Sequence, residues 1–396
     1  SLKKGLYESG ADIIDIGLGP SPMLYFAANH LDSDGAIMVT GSHNPPQHNG
    51  FKIMKGKVPF FGNDILDIGE RGIKGEWDYS DGSKLDYFID DKYINILLES
   101  LKLNKFNKDL KVAWDPGNGA AGAIIKKLVK MLPGEHTLIN SEINGLFPSH
   151  HPDPTDPKNL KEIIELVRNK ELDIGLAFDG DGDRLGVVSS KGRIVWGDQL
   201  LAFLSKEVLR NMPNSSIIAD VKASQNLFNE IEKYGGVPIM WKTGHSFIKS
   251  KMKEISSPLA GEMSGHIFFA DRYLGYDDGI YAALRVLELI EDRYTLDNFL
   301  DSLPKTFSTL EIKIECSDDK KFNIIKELAS TLDSEKIKVN KVDGLRVQKD
   351  DGWWLLRASN TQAVLVARVE AKSKSSLNNL QKELNLYLNK FDLSLS

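Results

Sequence analysis

One repeated pattern limits what this chain can fold into more than any other feature of the sequence. A short apolar run rich in Val and Ile ends in a polar loop, usually with glycine, and an amphipathic stretch follows. Apolar strands that alternate with helical segments indicate α/β domains with largely parallel sheets, whose functional residues collect beyond the carboxyl ends of the strands. The segments with this pattern are GAIMVTGSHN (35–44), LKVAWDPGNG (110–119), DIGLAFDGDGDR (173–184), SIIADVKAS (216–224), VPIMWKTGHS (237–246) and SPLAGEMSGH (257–266).

The C-terminal part of the chain follows a different pattern. Its strands and helices read roughly as βαβββα, and the pairs Asp343-Gly344 and Asp351-Gly352 mark turns. This order is typical of an α+β domain. Linker-like segments occur near 84–88, 190–193 and 300–308. We therefore predict three related α/β domains with mixed or parallel sheets, followed by one α+β domain, in the ranges 1–86, 87–191, 192–303 and 304–396.

Composition excludes several classes of protein. The formal net charge is −6 and no basic stretch offsets it, which argues against nucleic-acid binding. No apolar run approaches the roughly 18–20 residues that a membrane span requires. Cys316 is the only cysteine, so neither an intrachain disulfide nor a thiolate metal cluster can form. We expect a protein of the reducing cytoplasm, with no nucleic-acid, membrane or obligate protein partner evident.

The strongest chemical signal is the segment FDGDGDR, which places Asp179, Asp181 and Asp183 at alternate positions between glycines. Glycine allows the tight curl that brings three carboxylates together, and their mutual repulsion then requires a cation. Oxygen ligands of this kind suit Mg²⁺ or Ca²⁺. An EF-hand is excluded, because Arg184 and Ser190 stand where that loop requires glycine and glutamate.

A second signal is TGSHNPPQHNGFK (40–52), which follows the strand-like run GAIMV. It places Ser42 between Gly41 and His43, in a loop that two prolines stiffen. The adjacent serine and histidine do not form a protease-like triad, and no G-x-S-x-G elbow is present. A serine that carries phosphate would present anionic oxygens to the cation of the three aspartates, so the two segments reinforce each other.

Four segments together resemble motifs of the phosphomannomutase/phosphoglucomutase branch of the α-D-phosphohexomutase family. TGSHNPPQHNGFK is similar to its phosphoserine loop, DGDGDR to its metal loop, GEMSGH to its sugar-recognition loop and RASNT to its phosphate-binding loop. They occur in the family's order and spacing, and the similarity covers the whole chain. The resemblance implies four domains around one central cleft.

The resemblance also implies the groups at the reacting end of the site. Ser42 would carry the phosphate and also bind the metal, and Asp179, Asp181 and Asp183 would be the carboxylate ligands of one Mg²⁺ ion. Arg184 would lie near the reacting phosphate. His43 and Lys52 are the two candidates for the general acid or base. The sequence does not decide between the last two.

The substrate-binding groups follow from the same resemblance. Glu262, Ser264 and His266 would bind sugar hydroxyls. The non-reacting phosphate would be bound by Arg357, Ser359, Asn360 and Thr361. Lys222 and His245 would line the cleft. A guanidinium binds phosphate bidentately, and short hydroxyl and amide donors reach the remaining oxygens. The chain departs from the family at Ala363, where proline is usual. We expect Lys242, Lys249, His150 and His151 to be structural.

The implied activity is that of an isomerase of carbohydrate metabolism, a phosphohexomutase whose partner is a small sugar phosphate. Phosphorylated Ser42 gives its phosphoryl group to a hexose phosphate, the bisphosphorylated hexose reorients, and its other phosphate returns to the serine. Met263 and Asn360 resemble the hexose branch more than the amino-sugar branch, so we expect mannose and glucose phosphates. The alternatives are a phosphoglucosamine mutase and a metal-dependent phosphatase that forms phosphoserine.

Two further expectations concern glycines and the N-terminal region. Gly117, Gly119 and Gly122 spell the G-x-G-x-x-G of dinucleotide-binding enzymes, but Asp115-Pro116 separate them from the strand, and a close strand-to-helix turn explains them equally well. Before Ser42 only ADIIDIG and GAIMV read as strands, too few for a parallel sheet buried on both faces. We therefore expect residues 1–86 to form an N-terminally truncated, loosely folded domain that slows phosphoryl transfer.

Overall fold

The computed structural model describes residues 1–77, 79–102, 105–360 and 362–395. Every apolar run of the repeated pattern forms a strand, and three of the six strands are followed directly by a helix. The multi-domain α/β class is therefore confirmed. The strands formed by the repeated pattern are Gly35–Thr40, Lys111–Asp115, Ile174–Phe178, Ser216–Asp220, Val237–Trp241 and Leu259–Gly261.

The first unit contains two small sheets instead of one parallel sheet. Its elements are α1 (Leu2–Glu8), β1 (Ile13–Asp15), α2 (Ser21–His30), β2 (Gly35–Thr40), β3 (Gly50–Lys55), β4 (Val58–Phe60), α3 (Asn63–Lys74) and β5 (Lys84–Asp86). Strand β1 pairs in parallel with β5, whereas β2, β3 and β4 form an antiparallel sheet. The Ser42 loop, residues 41–49, is too short for the crossover that a parallel partner of β2 needs, so the chain returns antiparallel.

The second unit carries the acidic loop on its most buried strands. Its elements are α4 (Asp90–Glu99), β6 (Lys111–Asp115), α5 (Gly122–Leu128), β7 (Glu135–Leu138), α6 (Lys161–Asn169), β8 (Ile174–Phe178), β9 (Leu185–Ser189) and β10 (Ile194–Val195). The sheet order is β10-β9-β8-β6-β7, with β6, β7 and β8 parallel. Every residue of β8 and β9 is buried. Strand β10 lies beyond residue 191, so this sheet crosses the predicted domain boundary.

The third unit directs three strand ends toward the same region. Its elements are α7 (Gly197–Asn211), β11 (Ser216–Asp220), α8 (Gln225–Lys233), β12 (Val237–Trp241), α9 (His245–Ile255), β13 (Leu259–Gly261), β14 (Ile267–Phe269), α10 (Gly279–Leu287) and α11 (Thr295–Ser302). The sheet order is β12-β11-β13-β14, and only β14 is antiparallel to its neighbour. The carboxyl ends of β11, β12 and β13 lead to Lys222, His245 and Glu262.

The fourth unit is an antiparallel sheet with helices, although its strand order differs from the predicted βαβββα. Its elements are β15 (Phe307–Ser308), β16 (Ile312–Glu315), α12 (Asp318–Ser334), β17 (Val339–Asn340), β18 (Leu345–Lys349), β19 (Gly352–Ala358), β20 (Val364–Ala371) and α13 (Lys374–Leu388). A short 3₁₀ turn follows α13 at Asn389–Phe391, and another precedes α6 of the second unit at Pro157–Leu160. Strands β15 and β16 both pair with β20. The sequence pattern merged short strands that the structure separates.

One apolar core runs through the first three units, and the fourth unit has its own. The fourth unit docks on the third through a small apolar cluster that includes Val221 and Trp353. Beside it, Arg346 donates hydrogen bonds to the carbonyl oxygens of Val221 and Ala223, both at 2.7 Å. Much of this contact is therefore polar. Within the described ranges, no helix is long and apolar enough to cross a membrane.

Candidate active site

The acidic loop, residues 178–184, brings its three aspartates together as the sequence predicts. Carboxylate oxygens of Asp179, Asp181 and Asp183 lie within 4.8 Å of one another, and none of the three residues is more than 3% exposed. Gly182 adopts a φ of +72°, which favours glycine. A Cβ at Gly180 would lie 2.2 Å from the Ser42 carbonyl oxygen. The glycines therefore allow both the curl and the close approach of the serine loop.

This cluster has a surplus of negative charge that the described residues do not satisfy. The Oδ1 atoms of Asp181 and Asp183 are buried without a hydrogen-bond partner there. Burial and the neighbouring carboxylates raise the pKa of Asp179 well above its ordinary value, and the pKa of Asp183 is raised for the same reasons. Buried carboxylates of this kind need a cation or a proton. The cluster is compatible with a metal ion.

Ser42 is held directly against the acidic loop. Its hydroxyl donates to Asp179 Oδ2 at 2.8 Å, and the same oxygen lies 3.0 Å from His43 Nδ1. Its backbone φ is +50°, an uncommon conformation for a residue with a side chain. Thr40 supports this conformation, since its hydroxyl accepts from the Ser42 N–H at 2.8 Å and donates to Asp181 at 3.1 Å. Sequence analysis did not single out Thr40.

The two acid–base candidates differ in charge. The Lys52 ammonium lies 2.6 Å from Asp181 Oδ2 and also contacts the Asp183 carboxylate. Burial lowers the pKa of Lys52, but these carboxylates outweigh burial and hold it well above its ordinary value. Burial and the nearby Arg184 lower the pKa of His43 to about 3. At neutral pH, Lys52 is therefore a cation and His43 a neutral imidazole.

The sugar-recognition loop, residues 262–266, lies beside the acidic loop. Arg184 and His266 form an antiparallel bridge, and Arg184 Nε donates to His266 Nε2 at 3.0 Å. Gly265 has a φ of +87°, and a Cβ there would lie 2.7 Å from a carbonyl oxygen of β9. Glu262 accepts a hydrogen bond from the Gly244 N–H at the start of α9. Ser264 is half-buried in the same loop.

A histidine cluster extends the site, and sequence analysis found only part of it. The rings of His245 and His266 stack with centroids 5.6 Å apart. Asp277 Oδ2 lies 3.0 Å from His266 Nδ1 and 3.5 Å from His245 Nδ1. Lys249, expected to be structural, donates to Asp277 Oδ1 at 2.8 Å. The sequence signal for Asp277 was slight: two adjacent acids, of which the second caps α10.

The fourth predicted motif contributes to a basic cluster, defined as Lys222, Arg357, Ser359 and Asn360. Lys222 and Arg357 are buried and each is paired with a carboxylate: Lys222 with Glu311 at 2.6 Å, and Arg357 with Asp343 at 2.9 Å. Ser359 is buried and Asn360 is exposed. Thr361 lies outside the described residues. Sequence analysis did not identify Glu311 or Asp343 as part of this site.

The glycine-rich turn after β6 supports the acidic loop. The Ala120 N–H donates to the Gly180 carbonyl oxygen at 2.8 Å, and a Cβ at Gly119 would lie 2.7 Å from that oxygen. Close packing therefore explains this glycine without a dinucleotide. Nearby, His150 Nε2 lies 2.9 Å from Asp115 Oδ2, and the structural role expected for that histidine stays a prediction.

Comparison with protein families identifies each unit in turn. Models described as phosphoglucomutase/phosphomannomutase alpha/beta/alpha domains I, II and III match residues 1–71, 91–192 and 196–307. The model of the C-terminal domain of the same family matches residues 311–386. The chain belongs to the phosphoglucomutase/phosphomannomutase family. The four domains of the family thus follow one another along most of the chain, and each matched range contains one of the four motifs.

Individual relatives extend this similarity over almost the whole chain. A phosphomannomutase/phosphoglucomutase of Pseudomonas aeruginosa is 42% identical over 395 residues, 100% of this chain and 85% of the relative. The protein of that name from Pseudomonas putida is 44% identical over 96% of this chain and 82% of its own length. A crystal structure of a family protein from Burkholderia thailandensis covers 98% of this chain and 85% of its own, with 38% identity and a TM-score of 0.90.

Proposed function

We propose that this enzyme interconverts hexose 6-phosphates and hexose 1-phosphates, with Ser42 as the phosphate carrier. The contact of the Ser42 hydroxyl with Asp179, inside a cluster of three buried carboxylates, carries the proposal. The Pseudomonas relatives are named phosphomannomutase/phosphoglucomutase, and on that basis we assign mannose and glucose phosphates as substrates.

The sole cysteine, Cys316, is unpaired, and we propose the reducing cytoplasm as the compartment.

We propose that the metal ion is Mg²⁺, held by oxygens of Ser42, Asp179, Asp181 and Asp183. The unpartnered oxygens of Asp181 and Asp183 support a hard divalent cation with oxygen ligands. When bound, the ion would neutralise charge on the phosphoryl oxygens. Lys52, already cationic, adds positive charge at the same carboxylates, and Arg184 lies beside them with its Nε 3.8 Å from Asp179.

The transfer itself requires two bond exchanges at phosphorus. The Oγ–P bond of phosphorylated Ser42 breaks as a bond from phosphorus to a sugar hydroxyl oxygen forms, and that hydroxyl loses its proton. The freed Ser42 oxygen takes up a proton in exchange. In the second half the bond between the other phosphorus and its hexose oxygen breaks as Ser42 Oγ bonds to that phosphorus, and the proton of Ser42 passes to the released hexose oxygen. Of the two sequence-derived candidates, His43 is the one within hydrogen-bond distance of the reacting serine, with its Nδ1 3.0 Å from Ser42 Oγ, whereas the Lys52 ammonium is paired with Asp181 and Asp183.

The remaining residues would bind the sugar and the phosphate that is not reacting. Glu262, Ser264 and His266 offer acceptors and donors for sugar hydroxyls, with His245 stacked on His266. Lys222, Arg357, Ser359 and Asn360 would bind the non-reacting phosphate, and the sequence motif adds Thr361 to this group. Charge-assisted bonds from a guanidinium to phosphate are strong and directional, which suits a site that must accept both ends of one bisphosphate.

The test begins with the mass of the purified chain, which should show one covalent phosphate that peptide mapping places on Ser42. Mannose 1-phosphate, glucose 1-phosphate and glucosamine 1-phosphate are then compared in one assay. We expect the first two to be preferred. A phosphate on another residue would contradict the carrier assignment, and a preference for the amino sugar would contradict the substrate assignment. Release of inorganic phosphate without isomerisation would indicate a phosphatase.

A further inference from the structure

The turn Asp343-Gly344 does more than reverse the chain between β17 and β18. The Asp343 carboxylate accepts from Arg357 Nε at 2.9 Å and from Arg357 Nη2 at 3.4 Å. Gly344 has a φ of +79°, and a Cβ there would lie 2.5 Å from the Arg357 Cβ. A residue with a side chain at position 344 would therefore push the turn away from the arginine.

The same carboxylate also reaches the third unit. Asp343 Oδ2 accepts a hydrogen bond from the Thr243 N–H at 3.0 Å. The next N–H in the chain, that of Gly244, donates to Glu262 of the sugar-recognition loop. Two consecutive backbone donors thus connect the basic cluster with the sugar-recognition loop. The position of Arg357 relative to the third unit depends on a side chain that sequence analysis treated only as a turn residue.

The geometry points to Asp343 as a positioning residue that fixes Arg357 for the non-reacting phosphate of the substrate. A guanidinium has five N–H donors, and Asp343 occupies only those on the Nε/Nη2 edge. Among the described residues, the opposite edge forms no hydrogen bond, so it can face phosphate. Both side chains are mostly buried, with 7% of Arg357 and 14% of Asp343 exposed, so few other rotamers are open. This inference rests on the proposed function, because it assigns substrate phosphate to Arg357.

The chain contains a matched control for this residue. The second turn of the same unit, Asp351-Gly352, has the same residue pair but an exposed aspartate. Its backbone carbonyl oxygen accepts from the Lys372 N–H, a contact that a side-chain amide would leave intact. Asp351→Asn therefore removes one carboxylate from the fourth unit without touching the basic cluster.

The experiment compares Asp343→Asn, Asp351→Asn, Arg357→Ala and the double variant Asp343→Asn/Arg357→Ala, using glucose 1-phosphate as substrate. Asp343→Asn should raise KM about tenfold, the scale of one charged hydrogen bond, and change kcat by less than about twofold, since phosphate is held in ground and transition states alike. Asp351→Asn should match the wild type. In the Arg357→Ala background, Asp343→Asn should change KM by less than about twofold, because its effect passes through the arginine.

An equal rise of KM in both backgrounds, or an unchanged KM for Asp343→Asn, would overturn the inference. Should Asp343→Asn fail to fold, Asp343→Glu, which keeps the charge but moves the carboxylate outward, should raise KM severalfold in the same way. Binding of inorganic phosphate, measured by calorimetry, separates this inference from the proposed function. If the wild type shows no mutase activity, phosphate bound about tenfold more weakly by Asp343→Asn than by Asp351→Asn still supports the inference, and equal binding refutes it.

Discussion

The acidic loop and the basic cluster assemble buried charge in opposite ways. The acidic loop takes its three carboxylates from five consecutive residues and leaves the Oδ1 atoms of Asp181 and Asp183 unpartnered within the described chain. The basic cluster pairs each of its cations with a carboxylate from elsewhere in the chain. The acidic loop is therefore compatible with a metal ion that would partner these oxygens. In the basic cluster the protein itself supplies the counter-charge.

The largest effect that follows from this comparison concerns Ser42. Ser42→Ala removes one hydroxyl from the acidic centre, so mutase activity should fall at least about a thousandfold. The basic cluster is untouched, so inorganic phosphate should bind with unchanged affinity. Steady-state kinetics measures the mutase activity, and calorimetry measures the binding of inorganic phosphate. Near-normal activity would mean that another group carries the phosphate, and altered phosphate binding would mean that the two sites are not independent.

The next largest effect concerns the unpartnered carboxylates. Mg²⁺ should stabilise the wild type against thermal unfolding by about 2–3 kcal/mol at 100 times its dissociation constant. Asp183→Asn should lose most of this gain and reduce activity about a hundredfold. In chelator the variant should be at least as stable as the wild type, since one source of repulsion is gone. Equal stabilisation of both proteins by Mg²⁺ would place the cation elsewhere.

The smallest effect lies next to the basic cluster, at Asp220. Burial raises the pKa of Asp220 to about 7, although Lys222, 3.6 Å away, lowers it. Between about pH 4 and pH 7 the folded protein therefore holds a proton that the unfolded chain has released, so the free energy of unfolding falls as pH rises through this window and levels off above it. Asp220→Asn should remove about 1 kcal/mol per pH unit of this slope.

Chemical denaturation at several pH values measures that slope, and Asp351→Asn serves as the control, because an exposed carboxylate should leave it unchanged. A slope that survives in Asp220→Asn would show that another buried group is responsible. The contrast would then be sharper, since the carboxylates beside the basic cluster would be charge-compensated and those of the acidic loop would not.

Much of the fold and the site was predictable because the relevant information is local. Strand β8 is a continuous apolar run and β6 has the apolar centre VAW, a pattern typical of a sheet buried on both faces. The aspartates of the acidic loop lie within one five-residue segment. The glycines between them allow the tight curl, wherever in a fold the loop lies. Such features are visible in a chain read from one end to the other.

Other features depend on where distant segments meet. Loop length and packing set three features of the fold that sequence analysis did not predict. These are the antiparallel return of β2 through β3, the pairing of β10 with β9, and the separate strands at the start of the fourth unit. The charge of each acid–base candidate also depends on its surroundings: carboxylates keep Lys52 protonated, whereas burial and Arg184 lower the pKa of His43. Whether a side chain can ionise follows from its residue type, but its pKa, and therefore its charge at a given pH, depends on its surroundings.

The sequence by itself determined which groups we propose for the chemistry: a serine, three carboxylates and the cationic motif residues, each in a short contiguous segment. Only the tertiary structure decided what holds them. The supporting residues Thr40, Asp277, Glu311 and Asp343 contact residues 11 to 141 positions away. In sequence they are an ordinary strand end, one of two adjacent acids before a helix, a surface acid and a turn residue. Supporting contacts need only a donor or acceptor at the right distance, so no sequence spacing marks them.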